Sequence, residues 1–208
     1  MNGEIRGEGG SRTERFWEGH YQQHERVWSG RANPVLVDVT GSLPPGTALD
    51  LGCGEGGDAV WLAGLGWRVT AVDVSVTALE RASTYAARAG VEDHIDFQRH
   101  DLAHTFPVGA FDLVSAQYLH SPIAFPRFRV LQEAASAVAP GGLLLIVDHA
   151  SVSPGSWAAP EETLAPLVLS PDEWRTERLE AREREATGPN GRRATLTDNV
   201  IAVRRLAQ

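Results

Sequence analysis

Apolar positions change their spacing several times along the chain, and each change marks an element. Residues 47–51 are a short apolar run interrupted by Asp50 and closed by Gly52, the pattern of a strand buried on both faces. Over 59–65, Val60, Trp61, Leu62 and Leu65 predict a helix that Gly66 terminates. Residues 68–74 alternate and are β-branched, which predicts a second strand with Asp73 near its end. Ser75 can cap a helix running to Ala89, with Leu79, Ala82, Tyr85 and Ala86 inward and Gly90 behind it. Strands follow at 95–100 and 111–116. Phe128, Leu131, Ala135 and Val138 mark a further helix, and Pro140-Gly141-Gly142 supplies the turn that ends it. The continuous apolar run 143–147 predicts a central fifth strand.

The two ends of the chain have a different texture. Residues 1–12 are mostly Gly, Glu, Arg and Ser, too polar to offset their ordering entropy, and are expected to be mobile without a ligand. Phe16, Trp17, Tyr21 and Trp28 recur near helical spacing, which predicts a helix over 15–28; Ser29-Gly30 and Asn33-Pro34 then carry turn chemistry, so a loop is expected up to Gly46. Near the other end, Pro166 interrupts the last expected helix. Residues 174–185 alternate with heavy charge and 194–203 turn apolar, with Gly188-Pro189-Asn190-Gly191 between them, the signature of a hairpin.

Five strands alternating with helices and then a hairpin predict a doubly wound, Rossmann-like α/β fold. Its single seven-stranded sheet is mostly parallel, with an antiparallel C-terminal hairpin strand. One domain is expected over 1–208: a mobile 1–12, an N-terminal helix and lid over 13–46, and a ligand-binding core over 47–208.

Charge and composition then narrow the chemistry. Acidic residues number 27 against 19 basic ones, for a formal charge of −8, the wrong sign for a nucleic-acid surface. The single cysteine, Cys53, excludes an internal disulfide and any multi-cysteine metal site, which fits a reducing cytoplasm. No apolar run approaches the roughly 20 residues that span a bilayer, so a cytoplasmic location without a membrane partner is expected. His20 and His24 have metal-ligand spacing but no third ligand in view, so no metal is expected. Oligomeric state has no readable signal.

In an open α/β sheet the ligand lies beyond the carboxyl ends of the strands. Gly52, Gly54 and Gly56 follow the first strand and allow close backbone approach, while Asp73 stands where a carboxylate reaches ribose hydroxyls. Gly52, Gly54 and Gly57 also satisfy a dinucleotide pattern. Asp50 weighs against that reading, because its carboxylate would repel a pyrophosphate but not a sulfonium or an ammonium.

The ordered set Ala48-Leu-Asp-Leu-Gly-Cys-Gly-Glu-Gly56, Val69-Thr-Ala-Val-Asp-Val-Ser75, Asp101-Leu102, Phe111-Asp-Leu-Val114 and Pro140-Gly-Gly142 resembles the motifs of class I methyltransferases. The resemblance covers about residues 47–149. It implies S-adenosylmethionine as cofactor and S-adenosylhomocysteine as product. Asp50, Gly52, Gly54 and Gly56 would hold the methionine part, Asp73 and Val74 the ribose, Asp101 and Leu102 the adenine, and Gln117 would lie near the sulfonium. The lead-in Phe16-Trp17 to Tyr21 with Trp28-Ser29-Gly30 is similar, more loosely, to tellurite-resistance and thiopurine-type methyltransferases; Trp17 and Tyr21 would then belong to a lid over the sulfonium. Cys53 reads as a small buried filler. His120 and His149 follow the fourth and fifth strands and are the candidate general bases, His120 being favoured.

These readings predict methyl transfer to a small-molecule acceptor. A nicotinamide-dependent oxidoreductase is the rival, but all nineteen basic residues are Arg, so the Tyr-x-x-x-Lys pair of one such class cannot be formed. A non-catalytic binder of the same cofactor remains the other alternative.

Overall fold

The structure, a computed structural model, describes residues 10–153, 156–157, 159–187 and 193–207. The polar lead 1–9 and the predicted Gly188-Pro189-Asn190-Gly191 turn lie outside the described residues. The elements in order are α1 (Arg12–Gln22), α2 (Pro34–Thr40), β1 (Thr47–Leu51), α3 (Gly57–Gly64), β2 (Arg68–Asp73), α4 (Val76–Ala89) and β3 (Ile95–Arg99). There follow β4 (Phe111–Gln117), α5 (Arg127–Ser136), β5 (Val138–His149), β6 (Ser151–Ser153), β7 (Ser156–Trp157), α6 (Pro160–Leu164), β8 (Trp174–Thr187) and β9 (Arg193–Arg205).

Seven strands form one sheet in the order β3-β2-β1-β4-β5-β9-β8. The pairs β1/β2, β2/β3, β1/β4 and β4/β5 are parallel, while β9 runs antiparallel to both β5 and β8. One strand therefore opposes the other six, as the hairpin signal predicts. The strand order reverses between β1 and β4, and a ligand crevice opens at such a switch point.

The central strands read as unbroken apolar runs because both faces of the sheet are covered. Ala48, Leu113, Leu143, Leu145 and Val147 face one core with residues of α2, α3 and α4. Leu49, Leu51, Val114, Ala116, Leu144 and Ile146 face the other, against α5 and the turn after α6. The charged edge strand β8 carries Arg and Glu in near alternation, which discourages pairing with another chain. Among the described residues, no helix is long and apolar enough to cross a membrane.

The structure corrects several expectations. The first helix ends at Gln22, which leaves Trp28 in the following loop. Residues 34–40 are helical, where a loop was expected. Asn33-Pro34 is a helix start: Asn33 Oδ1 accepts from the Val35 N–H at 2.8 Å, and Pro34 occupies a position that needs no donor. A short ribbon, β6 with β7, follows β5 and has no counterpart in the periodicity. Pro166 does stop the last helix, which ends at Leu164 and tightens into one 3-10 turn.

Candidate active site

The loop after β1 is fastened to β2 before any ligand is considered. The Gly52 and Cys53 N–H groups both donate to the Val72 carbonyl, at 2.8 and 2.9 Å. Gly52, Gly54 and Gly56 have φ of 70°, 52° and 82°, the left-handed region that a side chain strains. Asp73 Oδ2 accepts from the Gly54 N–H at 3.0 Å and Oδ1 from the Ser75 N–H at 2.9 Å, so the carboxylate is aimed by backbone alone. Asp50 is 2% exposed, and its Oδ2 has no hydrogen-bond partner among the described residues. Burial, then the charges of Asp58 and Asp73, push the Asp50 carboxyl well up; burial likewise raises Asp73, and raises Asp58 to about 6. The Cys53 thiol is also pushed up by burial, as suits an inert filler.

The N-terminal segment straps across this loop. Glu18 accepts from the Ser75 hydroxyl at 2.7 Å and from the hydroxyl and N–H of Thr77 at 2.5 and 3.2 Å, which fixes α1 to the start of α4. Glu55 accepts from the Val27 and Trp28 N–H groups at 3.1 and 2.9 Å and pairs with Arg81 at 3.0 Å. Arg81 donates in turn to the Tyr21 and His24 carbonyls. The Trp28 indole N–H donates to the Tyr21 hydroxyl at 2.9 Å, and a Cβ on Gly54 would stand 2.9 Å from that hydroxyl. Tyr21 thus lies on the glycine loop. Trp17 is one layer out, its ring 6.3 Å from that of Tyr21.

Beyond β3, Asp101 Oδ1 accepts from the Ala103 N–H at 3.0 Å and Oδ2 lies 3.1 Å from His104 Nδ1. Burial raises its carboxyl, but hydrogen bonds from Ser11, Ala103 and His104 outweigh burial and hold it low. Leu102 is buried beside it in the core. The Val74 carbonyl accepts from Arg99 Nε at 3.3 Å.

The ends of β4, β5 and β9 carry a second cluster. Gln117 donates to Ser115 at 2.9 Å and leaves its buried Oε1 without a hydrogen-bond partner. Tyr118 has φ of 50°, its N–H donates to Val147 and its hydroxyl to Asp198 Oδ2 at 2.7 Å. Asp198 also takes Arg184, and its Oδ1 lies 3.4 Å from His149 Nδ1. Asp148 is bonded by Arg127 and by the Thr163 hydroxyl, while His120 Nε2 approaches it at 3.3 Å without hydrogen-bond alignment. Burial pushes both carboxyls up, yet His120 and Arg127 hold Asp148 below the usual range, and His149, Tyr118 and Arg184 do the same for Asp198.

Comparison with known proteins agrees with this layout. Residues 48–142 match the family described as Methyltransferase domain. Thiocyanate methyltransferase 1 of Arabidopsis thaliana is 34% identical over 101 residues, 47% of this chain and 44% of that protein. The 27-O-demethylrifamycin SV methyltransferase of Amycolatopsis mediterranei is 34% identical over 175 residues, covering 77% of this chain and 64% of its own length. The N-methyltransferase NodS of Bradyrhizobium japonicum, solved with S-adenosylhomocysteine, superposes with a TM-score of 0.68 at 18% identity, covering 93% and 98% of the two chains. The chain is thus similar to methyltransferases over residues 48–142 and shares the fold of NodS. It spans under half the length of the thiocyanate relative.

The cofactor of class I methyltransferases can be tested against the residues present. Its ammonium would find the orphaned Asp50 oxygen, and its ribose hydroxyls the outer lone pairs of Asp73. The raised carboxyls show that both acids lack a counter-charge, and a cationic ligand with hydroxyl donors supplies what is missing. The residues fit. The structure brings Asp50, Gly52, Gly54, Gly56, Asp73 and Tyr21 into one neighbourhood, with Asp101 and Leu102 beyond the end of β3 and His120 and His149 at the ends of β4 and β5. His20 on α1 and His24 just past its end have rings 5.0 Å apart, and the His20 ring lies 6.1 Å from that of Tyr21. Sequence reasoning missed Glu18, Glu55, Arg81, Tyr118, Asp148 and Asp198. Glu55 was within reach, since it sits inside the glycine motif itself.

Proposed function

We propose that this chain transfers a methyl group from S-adenosylmethionine to a small-molecule acceptor. The reading rests chiefly on one observation: buried carboxylates without a cation surround a glycine loop at the switch point of the sheet. Such a site attracts a sulfonium–ammonium ligand and repels the pyrophosphate of a nicotinamide cofactor.

Asp50 would hold the ammonium, Asp73 and Val74 the ribose, Asp101 and the Leu102 backbone the adenine, and Gln117 would stand near the sulfur. When bound, the cofactor supplies an electrophilic methyl group. The chain's own residues orient the two partners and exclude water, and positioning of this kind contributes up to roughly 7–11 kcal/mol in well-aligned systems. Tyr21, with Trp17 and Trp28 around it, forms the cover over the glycine loop. His120 and His149 are the groups placed to take a proton from the acceptor. Thiocyanate and a rifamycin, named for two relatives, are both small acceptors, which supports the same substrate class here.

Titration with S-adenosylhomocysteine and with NAD tests the cofactor, and release of S-adenosylhomocysteine in the presence of a thiol, a phenol, an amine, selenite or tellurite tests the acceptor. Binding of S-adenosylhomocysteine alone, with turnover on one of these acceptors, is expected. Binding of NAD, or turnover confined to nucleic acid or protein, would reverse the reading.

A further inference from the structure

The antiparallel strand β9 places a carboxylate where no motif of the chain does. Asp198 lies opposite His149 in the β5/β9 register and is 1% exposed. It meets three donors: the Tyr118 hydroxyl, Arg184 and the His149 ring. Tyr118 stacks on His149 with centroids 4.4 Å apart, and the Arg184 guanidinium lies 5.7 Å from the Tyr118 ring centre. Its φ of 50° is a strained backbone for a residue with a bulky side chain, and such strain persists only where surrounding contacts fix it. Here the hydroxyl bond to Asp198 and the stacking supply those contacts. The turn that Tyr118 begins also carries His120, whose N–H donates to the Tyr118 carbonyl at 2.7 Å.

We propose that Asp198 and Tyr118 are positioning residues that fix His149 as the general base, a role that rests on the methyl-transfer reading above. An ionised carboxylate can only accept, so the proton between Asp198 and His149 belongs to Nδ1. Nε2 is then the nitrogen with a free lone pair. The side chain is 45% exposed at the end of β5, so Nε2 can take the proton an acceptor gives up, and Asp198 balances the imidazolium that results. His120 differs. Its Nε2 faces Asp148 without alignment, and Asp148 is already bonded by Arg127 and Thr163. The geometry therefore selects His149, where sequence reasoning favours His120.

Long-range ¹⁵N–¹H spectra of the full chain at pH 8, with S-adenosylhomocysteine present and absent, read the imidazole tautomer directly. Wild type should show His149 protonated on Nδ1. Asp198→Asn should lose that preference while its affinity for S-adenosylhomocysteine stays within about twofold, and Tyr118→Ala, which removes both the hydroxyl bond to Asp198 and the stacking, should weaken it. A wild-type His149 protonated on Nε2 overturns the proposal, and so does a tenfold loss of cofactor affinity in Asp198→Asn. The wild-type spectrum decides the matter even where Asp198→Asn fails to fold. Nδ1 protonation without any binding of S-adenosylhomocysteine would instead defeat the cofactor reading and leave the Asp198–His149 pairing standing.

Discussion

At the ends of β1 and β2, buried carboxylates have only backbone donors, and their carboxyls are pushed up; at the ends of β5 and β9, buried carboxylates have arginine, histidine and hydroxyl partners, and theirs are held down. Burial is comparable on the two sides, so the partners decide the sign. The first region is electrostatically incomplete until a cation arrives. The second is complete by itself and holds side chains in fixed orientations. Under the proposed function the first region is the cofactor side, a receptor for a cationic ligand, and the second the acceptor side, a rigid platform.

The largest effect is expected at Asp148. Asp148→Ala leaves Arg127 partly buried and without its carboxylate, and should cost about 3 to 5 kcal/mol of stability. Urea denaturation reads this as a lower midpoint, and a midpoint unchanged from wild type would show that the acceptor side does not depend on its ion pairs.

Asp73→Ala should act on binding. Removing a charged acceptor should weaken S-adenosylhomocysteine by about 1.5 to 3 kcal/mol in calorimetry. Equal affinity in the variant would take Asp73 out of the site and with it half of the contrast.

A smaller effect follows from pH. Asp58 is raised to about 6, and Asp50 and Asp73 are raised as well. The ammonium and ribose hydroxyls of S-adenosylhomocysteine favour the ionised forms of Asp50 and Asp73, so its affinity should fall as pH drops from 7 to 5, by up to about tenfold per unit for each proton taken up. The stability these groups contribute to the unliganded protein runs the other way. It is fully present below the unfolded pKa of about 3.9 and is lost as pH rises through the raised folded values. A flat binding profile over that range would contradict the assignment.

The two regions also differ in how much of them the sequence discloses. The cofactor side comes from one continuous strand, loop, helix and strand, so Asp50, the glycines and Asp73 are recognisable by spacing, and the parallel sheet with its antiparallel strand follows from periodicity. The acceptor side is assembled by long-range pairing: Tyr118 and Asp198 are 80 residues apart, and His149 and Asp198 are 49. His120 and His149 are visible singly, but their carboxylates are not, because the β5/β9 register that brings Asp198 to His149 is a tertiary fact. The strap is intermediate. Its aromatics stand out, while the Glu18 and Glu55 anchors that hold it look like ordinary surface acids.

Thermal melting of Asp50→Asn with and without S-adenosylhomocysteine asks whether the ends of β1 and β2 are electrostatically incomplete without a ligand. The substitution removes a buried charge that has no counter-ion while keeping the shape of the side chain. The unliganded variant should be more stable than wild type by about 1 kcal/mol, roughly 2 to 4 °C in Tm, and should gain less than wild type from S-adenosylhomocysteine. A variant that melts below wild type when unliganded, yet is stabilised as much by S-adenosylhomocysteine, would show that Asp50 is not waiting for a cationic partner.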